Sequence, residues 1–189
     1  MNDMGAEQTI YMEDIMSEKV KEMLKTALEM ERKGKEFYEQ TIEKCSNEPG
    51  REIFTTLMKD EVIHIDRIKS IYTSLESGEG WNPGWEDFKE DHGSLNVIFG
   101  DLANKYGKNI KAETSDIEAL DVGIDFEDKS VKFYEDALKN AGDDLEKTFV
   151  NRMIVEEKGH YAVLTDLKFY LTNPEGWFQE NEHHGMDGA

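Results

Sequence analysis

Apolar residues recur along this chain at steps of three and four, in long stretches separated by short runs rich in Gly, Pro, Asn and Asp. That period is the signature of helices with one buried face. With Ser17 as N-cap, the first stretch runs to about Ser46, and Glu48-Pro49-Gly50 makes a tight turn into a second that lasts to Ser77-Gly78. Ser115-Asp116-Ile117-Glu118 reads as a capping box, with Ser115 as N-cap, opening a third helix that ends near Ala141-Gly142. The fourth starts at Gly142 or Asp143 and stops at Asn173-Pro174, because proline cannot continue a helix. Long helices joined in pairs by short turns predict an all-α fold of two antiparallel hairpins, a four-helix bundle. Residues 17–77 form one hairpin and residues 115–173 the other. Residues 78–114 form a long crossover, with a loop from Gly78 to Trp85 and a short helix from Ser94 to Tyr106. In the tail, residues 174–189, Trp177 and Phe178 are expected to pack back on the bundle and the polar end to be mobile.

The buried stripe of each helix is interrupted in the same place. The first reads Val20, Leu24, Ala27, Glu31, Gly34, Tyr38, Thr41, Cys45, and the second Phe54, Leu57, Glu61, His64, Ile68, Ile71, Leu75. The third reads Ile117, Leu120, Ile124, Glu127, Val131, Tyr134, Leu138, and the fourth Val150, Met153, Glu157, His160, Leu164, Leu167, Leu171. Each stripe is apolar at both ends and ionisable in the middle. Four carboxylates and two imidazoles in a bundle centre are severely unstable unless neutralised, since an isolated buried charge costs several kcal/mol. Two divalent cations balance four carboxylates, and the neutral imidazoles add nitrogen donors without changing that balance. An oxygen-rich set with two histidines suits iron or manganese, and zinc also binds such ligands. Residues three apart project from one helix face, so each Glu-x-x-His pair reaches the same ion pair.

Glu31 and Glu127, Glu61 and Glu157, and His64 and His160 are each separated by 96 positions, and Phe37-Tyr38 falls on Phe133-Tyr134 at the same offset. The hairpins therefore read as copies related by a pseudo-twofold axis through the centre. A single Glu-x-x-His is weak evidence: with 26 glutamates and 5 histidines, about 0.7 matches arise by chance, and a motif alone is only a hypothesis. Indeed Glu180-x-x-His183 falls in the tail, where it is taken for coincidence. Two matches in mid-stripe, each preceded 30 residues earlier by another mid-stripe glutamate, are strong evidence.

Composition narrows the partners. The 189 residues carry 22 Lys+Arg against 42 Asp+Glu, a net charge of −20. A chain this acidic, without a basic run, repels a phosphate backbone, so no nucleic acid is expected. No apolar stretch approaches the roughly 18 residues of a membrane helix, and the opening MNDMGAEQTI lacks the features of a signal peptide. A cytoplasmic location and a single domain over 1–189 are the expectations. The single cysteine, Cys45, is read as a core residue and excludes a multi-thiolate metal site within this sequence. Tyr38 and Tyr134 lie one heptad, about 10 Å, from the glutamate on their own helix, too far to bind the same ion, and are read as core aromatics. Met23, Met30, Met58 and Met153 are read as packing, His92 as a surface residue, and His183-His184 as part of the mobile tail. Asp60 and Glu156 precede the two glutamates of the Glu-x-x-His motifs, so either is a candidate acceptor for a histidine's second ring N–H. Four of the 42 acids are expected inside and the other 38 on a solvated exterior.

The paired Glu-x-x-His motifs, each with its upstream glutamate, resemble those of the ferritin-like di-iron carboxylate proteins, most closely the rubrerythrin-like group. The resemblance covers residues 17–77 and 115–173. It implies a ferritin-like bundle holding two Fe ions, with Glu31 and Glu127 as terminal carboxylates, Glu61 and Glu157 bridging, and His64 and His160 each on one ion. It further implies a redox function on hydrogen peroxide or dioxygen, with these six residues as the catalytic centre. Rubrerythrins typically carry an extra glutamate where this chain has Ser130, and a four-cysteine rubredoxin-like module that one cysteine cannot build. The electron donor is then a separate protein, such as a rubredoxin. A homodimer fits the redox reading. A closed multi-subunit shell would fit ferroxidase chemistry for iron storage or transfer instead, and a metal-stabilised bundle without catalysis is the third reading.

Overall fold

Asn47 organises the first turn. Its side chain accepts the Gly50 N–H at 2.8 Å, and this N-cap lets Pro49 occupy the first turn of the helix, where its missing N–H costs nothing. In this computed structural model, which describes the backbone of residues 4–90 and 92–184 and the side chains of 18–90 and 92–181, six α-helices and no strands are present among the described residues. They are α1 (Met4–Lys44), α2 (Glu48–Glu76), α3 (Leu95–Tyr106), α4 (Thr114–Asn140), α5 (Asp144–Thr172) and α6 (Pro174–His184). Helices α1 and α2 pack as one hairpin and α4 and α5 as the other. The chain is an all-α, ferritin-like helical bundle. The crossover carries a 3₁₀ turn at Pro83–Asp87, which buries Trp85, and then α3, which packs on α5 and α2.

Several expected boundaries are corrected. Ser17 does not cap α1, which continues back to Met4; no Gly or Pro lies between Gly5 and Gly34 to interrupt it. Glu48-Pro49-Gly50 is the first turn of α2, and the link between the helices is Cys45–Asn47. Helix α4 is capped by Glu113 rather than Ser115, because the Asp116 carboxylate accepts the Glu113 N–H at 2.9 Å. Asp116 also accepts the Ser46 N–H at 2.9 Å and the Ser46 hydroxyl, tying the turn of the first hairpin to the start of the second. The cap at Asp143 is as expected, with Glu146 closing a capping box. The tail continues as α6 with Trp177 buried and Phe178 packed beside it. The expected mobile end at 185–189 and the side chains of His183 and His184 lie outside the described residues.

The buried stripes of α1, α2 and α5 are as read from the sequence except at two ends, where Val20 and Leu75 are only partly buried. That of α4 is rotated: Asp116, Leu120, Gly123, Glu127, Ser130 and Tyr134 face inward, while Ile117, Ile124 and Val131 are only partly buried. Two apolar layers result. One gathers Leu24, Ala27, Ile68, Ile71, Phe149, Val150 and Met153; the other gathers Phe54, Leu57, Leu120, Val163, Leu164 and Leu167. Between them lies a polar layer. Asp60, Asp116 and Glu146 are buried along with the four central glutamates, so the exterior holds fewer than the expected 38 acids.

Gly34 marks the closest approach within the polar layer. A Cβ there would lie 2.7 Å from the Phe126 ring and 3.1 Å from the Glu61 carboxylate. Gly34→Ala is expected to destabilise the protein by about 1–3 kcal/mol despite its better helix propensity. Chemical denaturation checks this; a neutral or stabilising result would show that the layer has slack.

Candidate metal centre

Glu31 enters the bundle centre from α1 and Glu127 from α4, with Glu61 and His64 entering from α2 and Glu157 and His160 from α5. All six are almost completely buried. The structure thus brings together every predicted site residue. His64 turns Nδ1 inward, 3.2 Å from Glu31 and 3.2 Å from Glu157 Oε1. His160 does the same, with Nδ1 3.7 Å from Glu127 and 3.6 Å from Glu157 Oε2. Glu157 therefore offers one oxygen to each imidazole. Glu61 does likewise at longer range, its Oε2 4.0 Å from His64 and its Oε1 4.0 Å from His160. The two rings stack at 5.5 Å between centroids.

The outward ring nitrogens are held crosswise. His64 Nε2 on α2 lies 3.0 Å from Glu156 on α5, and His160 Nε2 on α5 lies 3.3 Å from Asp60 on α2. Both acids that precede the motif glutamates thus serve, each for the histidine of the other hairpin. Such acceptors fix the ring orientation and leave Nδ1 free as a donor to a metal. The tyrosines are also crossed: the Tyr38 hydroxyl donates to Glu127 and the Tyr134 hydroxyl to Glu31. A heptad is too far along one helix but not across to its neighbour. Tyr38→Phe is expected to cost about 1 kcal/mol of stability by removing one such bond, with the metal count unchanged; a lost metal would place the phenol among the ligands.

Four residues of the surround have no sequence signal as site residues. Arg67 is fully buried; it donates to Glu156, to Glu90 at 2.8 Å and to the Phe88 carbonyl at 2.8 Å. Arg152 donates to Glu156 at 2.7 Å and to Glu90 at 3.4 Å. His92, expected at the surface, is instead tucked against the bundle with Nε2 2.7 Å from Asp60. The crossover carries Glu90 and His92, and its path is what brings them in. Beside it a cavity of about 430 Å³ reaches Asp60, Glu156 and His160, walled by Leu95 and Val155.

Electrostatics separates the acids when no metal neutralises them. Burial, then the charges of Glu31, Glu157 and Glu127, pushes Glu61 well above the usual carboxylate range. Burial and Glu157 raise Glu127 to about 8, against the pull of His160. Glu157 goes the other way: the effect of burial is outweighed by the adjacent His160 and His64 imidazoles, which hold it low. Burial depresses the two imidazoles, but the carboxylates around them prevail and both are raised well above their ordinary value. Without metal the pocket therefore favours held protons that offset part of its carboxylate charge.

The unpaired atoms point to what else could balance it. Both oxygens of Glu61, both of Glu157, Glu127 Oε2 and His160 Nδ1 are buried without a hydrogen-bond partner. Buried polar atoms are almost always satisfied, and these converge in two groups, Glu61, Glu127, Glu157 and His160 in one, Glu31, His64 and Glu157 in the other. The donor chemistry fits two hard or borderline divalent ions sharing Glu157. Fold and site together define a ferritin-like carboxylate bundle with a candidate two-metal centre.

The chain belongs to the Rubrerythrin family, whose model matches residues 22–168. Membership supports a di-iron protein. No curated protein and no solved structure gives a significant match. Among the described residues no helix is long and apolar enough to cross a membrane.

Proposed function

We propose that this chain is a di-iron oxidoreductase that reduces hydrogen peroxide with electrons from a separate donor protein. The observation that carries the reading is the convergence of four carboxylates and two Nδ1 atoms, most of their inward atoms unsatisfied, in one buried layer. When bound, two irons supply the two electrons that, with two protons, convert peroxide to two waters. Glu31, Glu61, His64, Glu127, Glu157 and His160 would hold the ions, Glu61 and Glu157 each turning one oxygen toward either imidazole. Tyr38 and Tyr134 orient the terminal carboxylates, and Asp60 and Glu156 hold the imidazoles with Nδ1 turned inward. The apolar layers on either side exclude bulk water, which keeps electrostatic interactions strong. The cavity beside the crossover gives a small polar oxidant a way toward His160. A rubredoxin-type protein is the expected donor.

Stopped-flow spectroscopy of the reduced, iron-loaded protein mixed separately with peroxide and with dioxygen tests this. Rapid oxidation by peroxide and slow oxidation by dioxygen is the expected result. Faster reaction with dioxygen, together with a closed multi-subunit shell in solution, would overturn it in favour of iron oxidation for storage.

A further inference from the structure

The hairpins repeat the six central residues, but the crossover meets only one outer face in each half, and the two faces differ in charge. Behind His64, Glu156 accepts from Arg67 and Arg152, and the same two guanidiniums hold Glu90. Two fixed cations and two carboxylates cancel there. Moreover, the Glu156 oxygen that faces His64 is the one that Arg67 also occupies. Behind His160, the polar partners of Asp60 among the described residues are His160 and His92. No permanent cation contacts Asp60 among the described residues, and the oxygen facing His160 is not the one that His92 engages. The 96-residue offset places Val163 opposite Arg67 and Thr56 opposite Arg152, so the repeat itself supplies no counterpart to either arginine.

We propose that the two metal positions are inequivalent, with the position of His160 and Glu127 binding divalent ions more tightly than that of His64 and Glu31, and with Arg67 and Arg152 as the positioning residues that set the difference. A carboxylate that accepts a histidine's outer N–H strengthens the inner nitrogen as a ligand. Two guanidiniums on that carboxylate withdraw this effect and cancel the negative charge that would otherwise stand behind the ion. Asp60 acts on His160 without that opposition. The inference rests on the two-ion centre proposed above. Its consequence is an ordered assembly in which the His160 position fills first and the His64 position is the exchangeable one.

Cobalt(II) alone, added without oxygen to the full chain, tests this. Crystals grown with one equivalent should show anomalous scattering mainly at the His160 position, and excess cobalt should fill both. Calorimetric titration of the same protein should resolve two steps separated by roughly tenfold or more, the scale on which outer partners of metal ligands act. Arg152→Gln, at a partly exposed residue, is expected to tighten the second step about tenfold and leave the first unchanged. A gain in affinity from removing a side chain is not what structural damage produces. His92→Lys places a fixed cation beside Asp60 and is expected to weaken only the first step. Equal occupancy at one equivalent, prior filling of the His64 position, or no change in the step ratio in either variant would overturn the inference. Fewer than two cobalt ions at saturation would instead overturn the two-ion centre.

Discussion

Glu157→Ala is expected to bind at most one divalent ion per chain, with affinity for that ion reduced roughly 100-fold or more. Its carboxylate is common to both donor groups, lying 3.2 Å from His64 and 3.6 Å from His160. Glu61 sits farther from both imidazoles, so its loss is expected to be the milder of the two. Anaerobic titration with ferrous iron, and metal analysis after desalting, measure the count. Circular dichroism checks that the variant folds. Two ions retained at wild-type affinity would remove Glu157 from the centre and with it the shared-carboxylate arrangement.

The second large effect concerns stability against pH in the metal-free protein. Glu127 is raised from 4.5 to about 8, and Glu61 is raised well above the same ordinary value. A group raised on folding contributes its stability fully below its unfolded value and loses it as pH climbs through the folded one. The raised imidazoles lose theirs in the same direction, above 6.5. Glu157, held low, contributes above about 4.5 and loses its share only in more acid solution. The metal-free chain is therefore expected to be most stable near pH 4.5 and to lose several kcal/mol by pH 8, since each tenfold change in a group's proton affinity is worth about 1.4 kcal/mol. Bound ions replace the protons, so the loaded protein should show no such decline, and its thermal advantage should widen as pH rises. Melting curves at pH 5.5 and 8, with and without manganese, measure this. Identical melting of the metal-free protein at both values would refute the proton-holding pocket.

The six central residues are legible in the sequence because they break an otherwise apolar stripe, and a break in a core has few physical explanations. For a related reason hydropathy puts helix α4 in the wrong phase. It favours Ile124 and Val131 over Gly123 and Ser130, yet helices approach most closely where side chains are small. Moving the stripe of α1 by 96 positions yields Leu120, Gly123, Glu127, Ser130 and Tyr134, so the repeat holds the answer that hydropathy conceals. Ser130 is then the counterpart of Gly34, and both are small and buried. The tyrosine contacts escape a reading that takes distances along one helix, because hydrogen bonds here run between helices. Arg67, Glu90, His92 and Arg152 are beyond its reach because the crossover that assembles them has no period to read.

The crosswise hydrogen bonds also govern how this chain can change. Asp60 and Glu156 each serve the opposite half's imidazole, and Tyr38 and Tyr134 each serve the opposite half's glutamate. A substitution in one hairpin is consequently felt first in the other. The apolar layers are free to diverge, since any well-packed volume serves them, while the exchanged polar contacts bind the two halves to a shared fate. A change in one half must therefore be answered in the other, which makes the exchanged contacts the place where each half has least freedom to act alone.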